Sequence, residues 1–283
     1  MNQNIEVDID LKIGFVGVGH MGSILARALS SAATDCAIYV ADKKEQHILD
    51  LIDDTSCLSA NAEDICKTCD IVILGMRPQG QPDFLKSVKG IVSERVNTST
   101  DFLFVTMAAG VPMASVQNNL DYKVPVMRIM PNTPVAIEAG AIPYCTSCVD
   151  GNRGAEAKVD FLKSCWGKSA VLPRVDESQM DAVCALSGSG PAFVYRFIEA
   201  MANAGEAAGL DAETASLLAK QTVLGSAKLA CDSVKSVGEL ADEVCSPGGT
   251  TIEGVNVLDA SDFNDCVRDT VLASARRSKE LSK

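Results

Sequence analysis

Ile13-Gly14-Phe15-Val16-Gly17-Val18-Gly19-His20-Met21-Gly22 is the stretch on which the fold turns. Ile13 to Gly17 reads as a buried strand, and Ile24, Leu25, Ala28 and Leu29 carry the period of a helix. Between them, Gly17 permits a tight turn, Gly19 lets the backbone approach a pyrophosphate, and Gly22 lets helix and strand pack closely. The helix start offers unpaired N–H groups and a partial positive charge to a diphosphate. Gly17, Val18, Gly19, His20, Met21 and Gly22 are therefore candidate cofactor contacts. Asp42 stands twenty residues beyond Gly22, where such folds keep an acid for a ribose hydroxyl, and Lys43 and Lys44 follow it at once. An acid there favours NAD and a base favours the 2′-phosphate of NADP, so NADH and NADPH both stay open.

Outward from this motif, short β-branched runs alternate with helical stretches. Ile38 to Ala41, Ile71 to Leu74, Phe102 to Thr106 and Val126 to Met130 read as strands buried on both faces. Met21 to Ser31, Glu45 to Ile52, Ala62 to Cys69, Pro82 to Gly90 and Pro112 to Leu120 read as helices. This alternation predicts a parallel, doubly wound sheet, closed by a helix over Ala155 to Cys165 and a strand over Ser169 to Leu172. Ligands of such sheets bind past the carboxyl ends of the strands, which brings in Gly75-Met76-Arg77-Pro78 and Met107-Ala108-Ala109-Gly110.

From Asp176 onward only helices are predicted, with Pro191 in a first turn, Gly209 as a stop and Asp211 as an N-cap. Between Pro191 and Ala230, 11 residues are Ala and 3 are Gly. Helices with so little side chain must find other helices to cover them, so a dimer interface is weighed against a compact monomeric bundle. The chain is read as an α/β protein, with a dinucleotide-binding domain over 1–174 and an all-α domain over 175–283. Ser246-Pro247-Gly248-Gly249-Thr250-Thr251 opens a helix, and its backbone amides form a nest suited to a carboxylate or phosphate. Ser187-Gly188-Ser189-Gly190-Pro191 is read as positional support for the helix it precedes.

Composition removes other classes. A formal charge of −12 over 283 residues argues against nucleic-acid and anionic-membrane partners. With 47% hydrophobic and 22% charged residues the chain buries a real core. The 11 Cys are read as scattered, reduced core thiols of a cytosolic protein, since a disulfide framework or zinc site asks for tighter spacing. Only His20 and His47 are present, which disfavours a His-based metal centre or a Ser-His-Asp triad. Met1 to Lys12 carries three acidic groups and no apolar block, and the uncharged window Phe102 to Leu120 is broken by Gly110 and Pro112. Neither a signal peptide nor a membrane span is expected, and the location read from this is cytoplasmic.

On these residues the chain resembles the pyrroline-5-carboxylate reductases over nearly its whole length. The resemblance rests on Ile13 to Gly17 with the glycine motif, Ala108-Ala109-Gly110, Met130-Pro131-Asn132-Thr133-Pro134, Leu186 to Ala192 and Ser246 to Thr251, in that order. It implies a Rossmann-type first domain and a helical second domain that interlocks with its twin in a homodimer, commonly assembled further to a decamer. It also implies an active site at that dimer junction, where a nicotinamide cofactor reduces 1-pyrroline-5-carboxylate to proline, the last step of proline synthesis. By the same resemblance Thr251 is the hydroxyl donor to the ring nitrogen and the catalytic residue. The amides of Gly249, Thr250 and Thr251 hold the substrate carboxylate, with Ser246 and Gly248 in the same turn. Met76 to Pro78 and Met107 to Ala109 border the nicotinamide half, and Asn61 stands on the adenosine side. The family's usual Ala-Val-Lys-Pro reads Gly75-Met76-Arg77-Pro78 here, and Asp42-Lys43 replaces the Asn or Ser followed by Arg of many NADPH-preferring members.

Reduction of an imine needs an anchored carboxylate and one donor at nitrogen but no catalytic His or metal. A β-hydroxyacid dehydrogenase or other imine reductase of this architecture uses a Lys just after the domain junction, where Gln179 and Asp181 stand here. A non-catalytic NAD(P)-binding protein would bind cofactor without oxidising it. A purely structural helical dimer leaves the glycine motif unexplained.

Overall fold

A computed structural model of the chain describes residues 11–98, 102–147 and 152–281. At its centre β1 (Lys12–Val16) runs parallel to β2 (Ala37–Ala41) on one side and β4 (Ile71–Leu74) on the other. Beyond β2 lies β3 (Leu58–Ser59); beyond β4 lie β5 (Leu103–Thr106) and β6 (Val126–Ile129), all parallel. The chain therefore builds outward from β1 in one direction, returns, and builds in the other. The reversal puts a topological switch point at the carboxyl ends of β1 and β4, where doubly wound folds bind ligands.

The β-branched runs form strands because both of their faces are covered. Ile13, Phe15, Ile38, Val40, Ile71, Ile73, Leu103 and Val105 alternate onto one face, under α1 (His20–Ala32) and α6 (Arg153–Trp166). On the opposite face Val16, Val72, Leu74, Phe104 and Val126 pack against α3 (Ala62–Thr68), α4 (Gln81–Thr98) and α5 (Met113–Leu120). The helix α2 (Glu45–Ile52) adds Leu51 to the first core. Trp166 is fully buried, and its indole N–H donates to the Leu25 carbonyl (3.3 Å), tying α6 to α1. That bond satisfies the one polar group of a large apolar anchor.

The sheet edges depart from expectation. The strand predicted over Ser169 to Leu172 is β9 (Ala170–Val171), and it pairs with β7 (Gly140–Ala141) in a separate two-stranded sheet. The large sheet ends instead in β8 (Tyr144–Thr146), antiparallel to β6. Three residues framed by Pro143 are too few to show a strand period. The helix predicted over Pro82 to Gly90 runs on to Thr98, because Leu85, Val88 and Val92 continue its buried stripe and a Cβ at Gly90 would meet open space.

By its backbone contacts the chain divides into residues 1–188 with 274–283, and residues 189–273. Before the division lie α7 (Met180–Val183) and a π-helical turn, Cys184–Gly188. After it come α8 (Gly190–Ala207), α9 (Ala212–Asp232), α10 (Val237–Val244), α11 (Thr250–Asp259) and α12 (Phe263–Leu281). As predicted, Pro191 sits in the first turn of α8, and the Asp211 side chain caps α9 at the Thr214 N–H (2.9 Å). Small residues let α8 and α9 approach closely: a Cβ on Gly205 would lie 3.2 Å from that of Ala215. Leu217, Leu224, Leu229 and Val257 of this helical unit remain exposed.

Candidate active site

The turn after β1 is locked by backbone packing. Gly17 has φ of +98°, and its N–H donates to the Ala41 carbonyl (2.7 Å). Its own carbonyl is wedged between two further glycines: a Cβ on Gly22 would come within 2.4 Å of that oxygen, and one on Gly75 within 2.1 Å. Gly22 thus serves helix–strand packing as its spacing predicts, and Gly75 joins the same contact from β4. Gly19 is the N-cap of α1; its position has no side-chain cap, and a Cβ there would meet nothing within 4 Å. The first amides of α1 lack helical acceptors and face no covering side chain at Gly19, which fits a phosphate-bearing cofactor.

Parallel pairing brings Asp42, Asn61, Gly75 to Pro78 and Met107 to Ala109 to the same sheet edge as this turn. The Asp42 carboxylate accepts the Val18 N–H (2.8 Å) and the Lys44 N–H (2.9 Å), and His47 Nδ1 lies 3.3 Å away. That last contact is an ion-pair distance whose geometry is not that of a hydrogen bond. Burial opposes the charge on Asp42, but the two amide donors and His47 together outweigh it and hold the carboxyl below its ordinary range. Lys43 and Lys44 are exposed. Asn61 caps α3, accepting the Asp64 N–H (2.7 Å).

Sequence reasoning passed over a buried pair beside these loops. Gln81 at the start of α4 and Thr106 at the end of β5 are 1% and 0% exposed, and their side chains hydrogen-bond at 3.0 Å. They join the segments that follow Met76 to Pro78 and precede Met107 to Ala109. Two quoted motifs also meet: Asn132 Nδ2 donates to the Ser187 carbonyl (3.2 Å), fixing the π-helical turn, while its Oδ1 accepts the Ala141 N–H (2.8 Å). Neither link has a signature in residue spacing.

Within the helical unit, Ser246 to Gly249 form a turn into α11 with Gly248 at φ of +71°. The Gly249 N–H donates to the Ser246 carbonyl (3.0 Å), which removes that amide from the set expected to hold a carboxylate. The amides of Thr250 and Thr251 belong to the first turn of α11 and have no acceptor within a helix. Both threonine side chains are exposed.

The cysteines are less scattered than the sequence reading held. Cys66-Lys67-Thr68-Cys69 and Cys145-Thr146-Ser147-Cys148 both have C-x-x-C spacing, although Cys148 lies outside the described residues. Burial pushes the Cys66 thiol up to about 12 and those of Cys69 and Cys145 up to about 11. Thiols so held keep their protons and are poor nucleophiles. Among the described residues no three His, Cys, Asp or Glu side chains cluster as metal ligands, and no helix is long and apolar enough to cross a membrane.

Two family models match the chain: pyrroline-5-carboxylate reductase dimerisation over residues 177–281, and coenzyme F420-dependent NADP oxidoreductase over residues 12–100. The pyrroline-5-carboxylate reductase of Pisum sativum is 34% identical over 274 residues, covering 95% of this chain and 96% of that protein. The one from Methanosarcina acetivorans is 35% identical over 276 residues, covering 96% and 98%. Among solved structures, the pyrroline-5-carboxylate reductase of Coxiella burnetii superposes with a TM-score of 0.85 at 30% identity, covering 96% of this chain and 98% of that one. The Plasmodium falciparum pyrroline carboxylate reductase with NADP bound gives 0.79 at 28%, with the same coverages.

Proposed function

Because the chain belongs to the pyrroline-5-carboxylate reductase family, we propose that it reduces the C=N bond of 1-pyrroline-5-carboxylate to give L-proline, the last step of proline synthesis. The observation that carries this reading is a glycine turn closed by backbone packing at the switch point of the sheet, in a chain aligned nearly end to end with reductases of that name. A bound nicotinamide cofactor, NADPH or NADH, supplies the hydride.

The residues divide the remaining work. Gly17, Val18, Gly19, His20, Met21 and Gly22 hold the diphosphate, and Asp42, Lys43 and Asn61 border the adenosine half. Gly75, Met76, Arg77, Pro78, Met107, Ala108 and Ala109 form the floor of the nicotinamide half. The amides of Thr250 and Thr251 take the substrate carboxylate, in a turn shaped by Ser246, Gly248 and Gly249. The Thr251 hydroxyl donates a hydrogen bond to the ring nitrogen, which polarises the C=N bond toward nitrogen. The carbon takes the hydride and the nitrogen takes up one proton from solvent, giving the secondary amine of proline. Anchoring and one donor suffice, so the scarcity of His is no obstacle.

In this reading residues 1–174 are the cofactor domain and 175–283 the substrate and dimerisation domain, active in the cytoplasm as a homodimer that assembles further to a decamer. The dimerisation match and the exposed apolar side chains of the helical unit support the dimer. The test is absorbance of the reduced cofactor, with NADH and NADPH in parallel, on adding 1-pyrroline-5-carboxylate. Oxidation of cofactor with formation of proline is expected. A protein that binds either cofactor and oxidises neither would be a non-catalytic binding protein, and the reading would fall.

A further inference from the structure

We propose that Asp42 is a positioning residue for the glycine turn and not the reader of the ribose, so that choice between cofactors rests on Lys43 and Lys44 and favours NADPH. The proposal rests on the reading above, in which a nicotinamide dinucleotide lies along the turn after β1.

A carboxylate offers about four lone-pair positions. At Asp42 one is taken by the Val18 N–H at 2.8 Å and one by the Lys44 N–H at 2.9 Å, while the imidazole of His47 crowds Oδ1 at 3.3 Å. The side chain is only 13% exposed. A carboxylate that reads a ribose needs lone pairs open to solvent for hydroxyl donors, and this one has turned one on each oxygen to its own chain, with His47 crowding what is left on Oδ1. The Val18 bond joins the end of β2 to the middle of the glycine motif, so Asp42 fixes where the α1 amides stand. Its charge is opposed by two amide dipoles and an imidazole, which weakens its repulsion of a phosphate.

The neighbouring cations are disposed in the opposite way. Lys43 and Lys44 follow directly, both exposed, and neither makes an ion pair among the described residues. They are the ammonium groups that the end of β2 offers to a 2′-phosphate, whereas NADH gives them nothing to neutralise. The sequence pattern of an acid at this position, which by itself favours NAD, is thus reinterpreted by the bonds the acid makes.

The test compares kcat and KM for NADPH and NADH in the wild-type chain, in Asp42→Asn and in the double variant Lys43→Ala/Lys44→Ala, with cofactor affinity from fluorescence titration. Wild type is expected to favour NADPH. Asp42→Asn is expected to raise KM for both cofactors about tenfold, with kcat little changed and their KM ratio within about threefold of wild type, as loss of a charge-assisted anchor common to both predicts. The lysine variant is expected to raise KM for NADPH about tenfold more than KM for NADH. A ratio moved more than about tenfold toward NADPH by Asp42→Asn would make Asp42 the ribose reader and overturn the proposal. If Asp42→Asn does not fold, the lysine variant decides: equal effects on the two cofactors, or a wild type that prefers NADH, also overturn it. A wild-type chain that binds neither cofactor sinks the underlying reading, an outcome distinct from binding with the wrong ratio.

Discussion

Two of the glycine turns that open helices in this chain, at Gly17 and at Gly248, are held in different ways. At Gly17 the carbonyl is pressed by Gly22 and Gly75, and the N–H is tied to Ala41. At Gly248 a Cβ would meet nothing within 4 Å, and the turn is closed by one bond from Gly249 to Ser246. A Cβ on Gly249 would press on the Ser246 hydroxyl (2.6 Å) and carbonyl (3.1 Å), with no second glycine packed against it. Their surroundings repeat the contrast. The apolar strands around the first turn are covered on both faces, whereas in the helical unit Leu217 is 65% exposed, Leu224 and Leu229 60%, and Val257 70%. Large apolar side chains left exposed in such number suit an interaction face. The first turn is closed within one chain; the helical unit leaves apolar side chains exposed and matches a pyrroline-5-carboxylate reductase dimerisation family.

Crowding makes the first turn the more fragile. Gly22→Val places a Cβ 2.4 Å from a backbone oxygen that cannot move without carrying β1 and Gly75 with it. Cofactor affinity is expected to fall by about a hundredfold or more, the largest effect, because overpacking against backbone costs about 1–3 kcal/mol or more and also displaces the phosphate amides. Titration with NADPH within about tenfold of wild type would break the contrast on its packed side. The open turn should tolerate change structurally and fail chemically. Thr251 is exposed, so Thr251→Ala is expected to leave the melting temperature and the cofactor KM near wild type while kcat/KM for the substrate drops about a hundredfold, the size of one lost donor to developing charge. Unchanged kcat/KM would remove Thr251 from the chemistry.

The same contrast explains what was legible in the sequence. Glycines that packing demands are visible by spacing, and so are strands buried on both faces, which is why β1, β2, β4, β5 and β6 all lie within a residue of where their apolar runs place them. Asp42 was visible by position, but its bonds to Val18 and Lys44 depend on where β2 ends against the turn, which no spacing records. The pairing of β8 with β6, and of β9 with β7, is settled by tertiary packing of strands of two or three residues. Gln81 and Thr106 lie 25 positions apart and look like ordinary polar residues until both prove fully buried. The helix read over Pro82 to Gly90 runs on to Thr98 because its buried stripe continues past Gly90 at Val92.

The smallest effect sharpens the packed side once more, at a point away from the cofactor. Arg128 on β6 is 4% exposed, its Nε has no hydrogen-bond partner among the described residues, and its guanidinium reaches Glu177 at 3.4 Å. Glu177 also accepts the Met113 N–H at 2.7 Å, so one carboxylate ties the stretch after β9 to both β6 and the start of α5. Glu177→Gln keeps an acceptor for Met113 but leaves a buried guanidinium without a counter-charge. Because Glu177 is 33% exposed, solvent screens part of that loss. Stability is expected to fall by about 1.5–3 kcal/mol, read as a melting temperature lower by about 5 °C, with kcat and both KM values near wild type. Adding Arg128→Met removes the stranded charge and fills its space with an apolar chain, so the double variant should recover most of the loss. A double variant no more stable than Glu177→Gln would mean that the stranded charge on Arg128 is not the source of the loss.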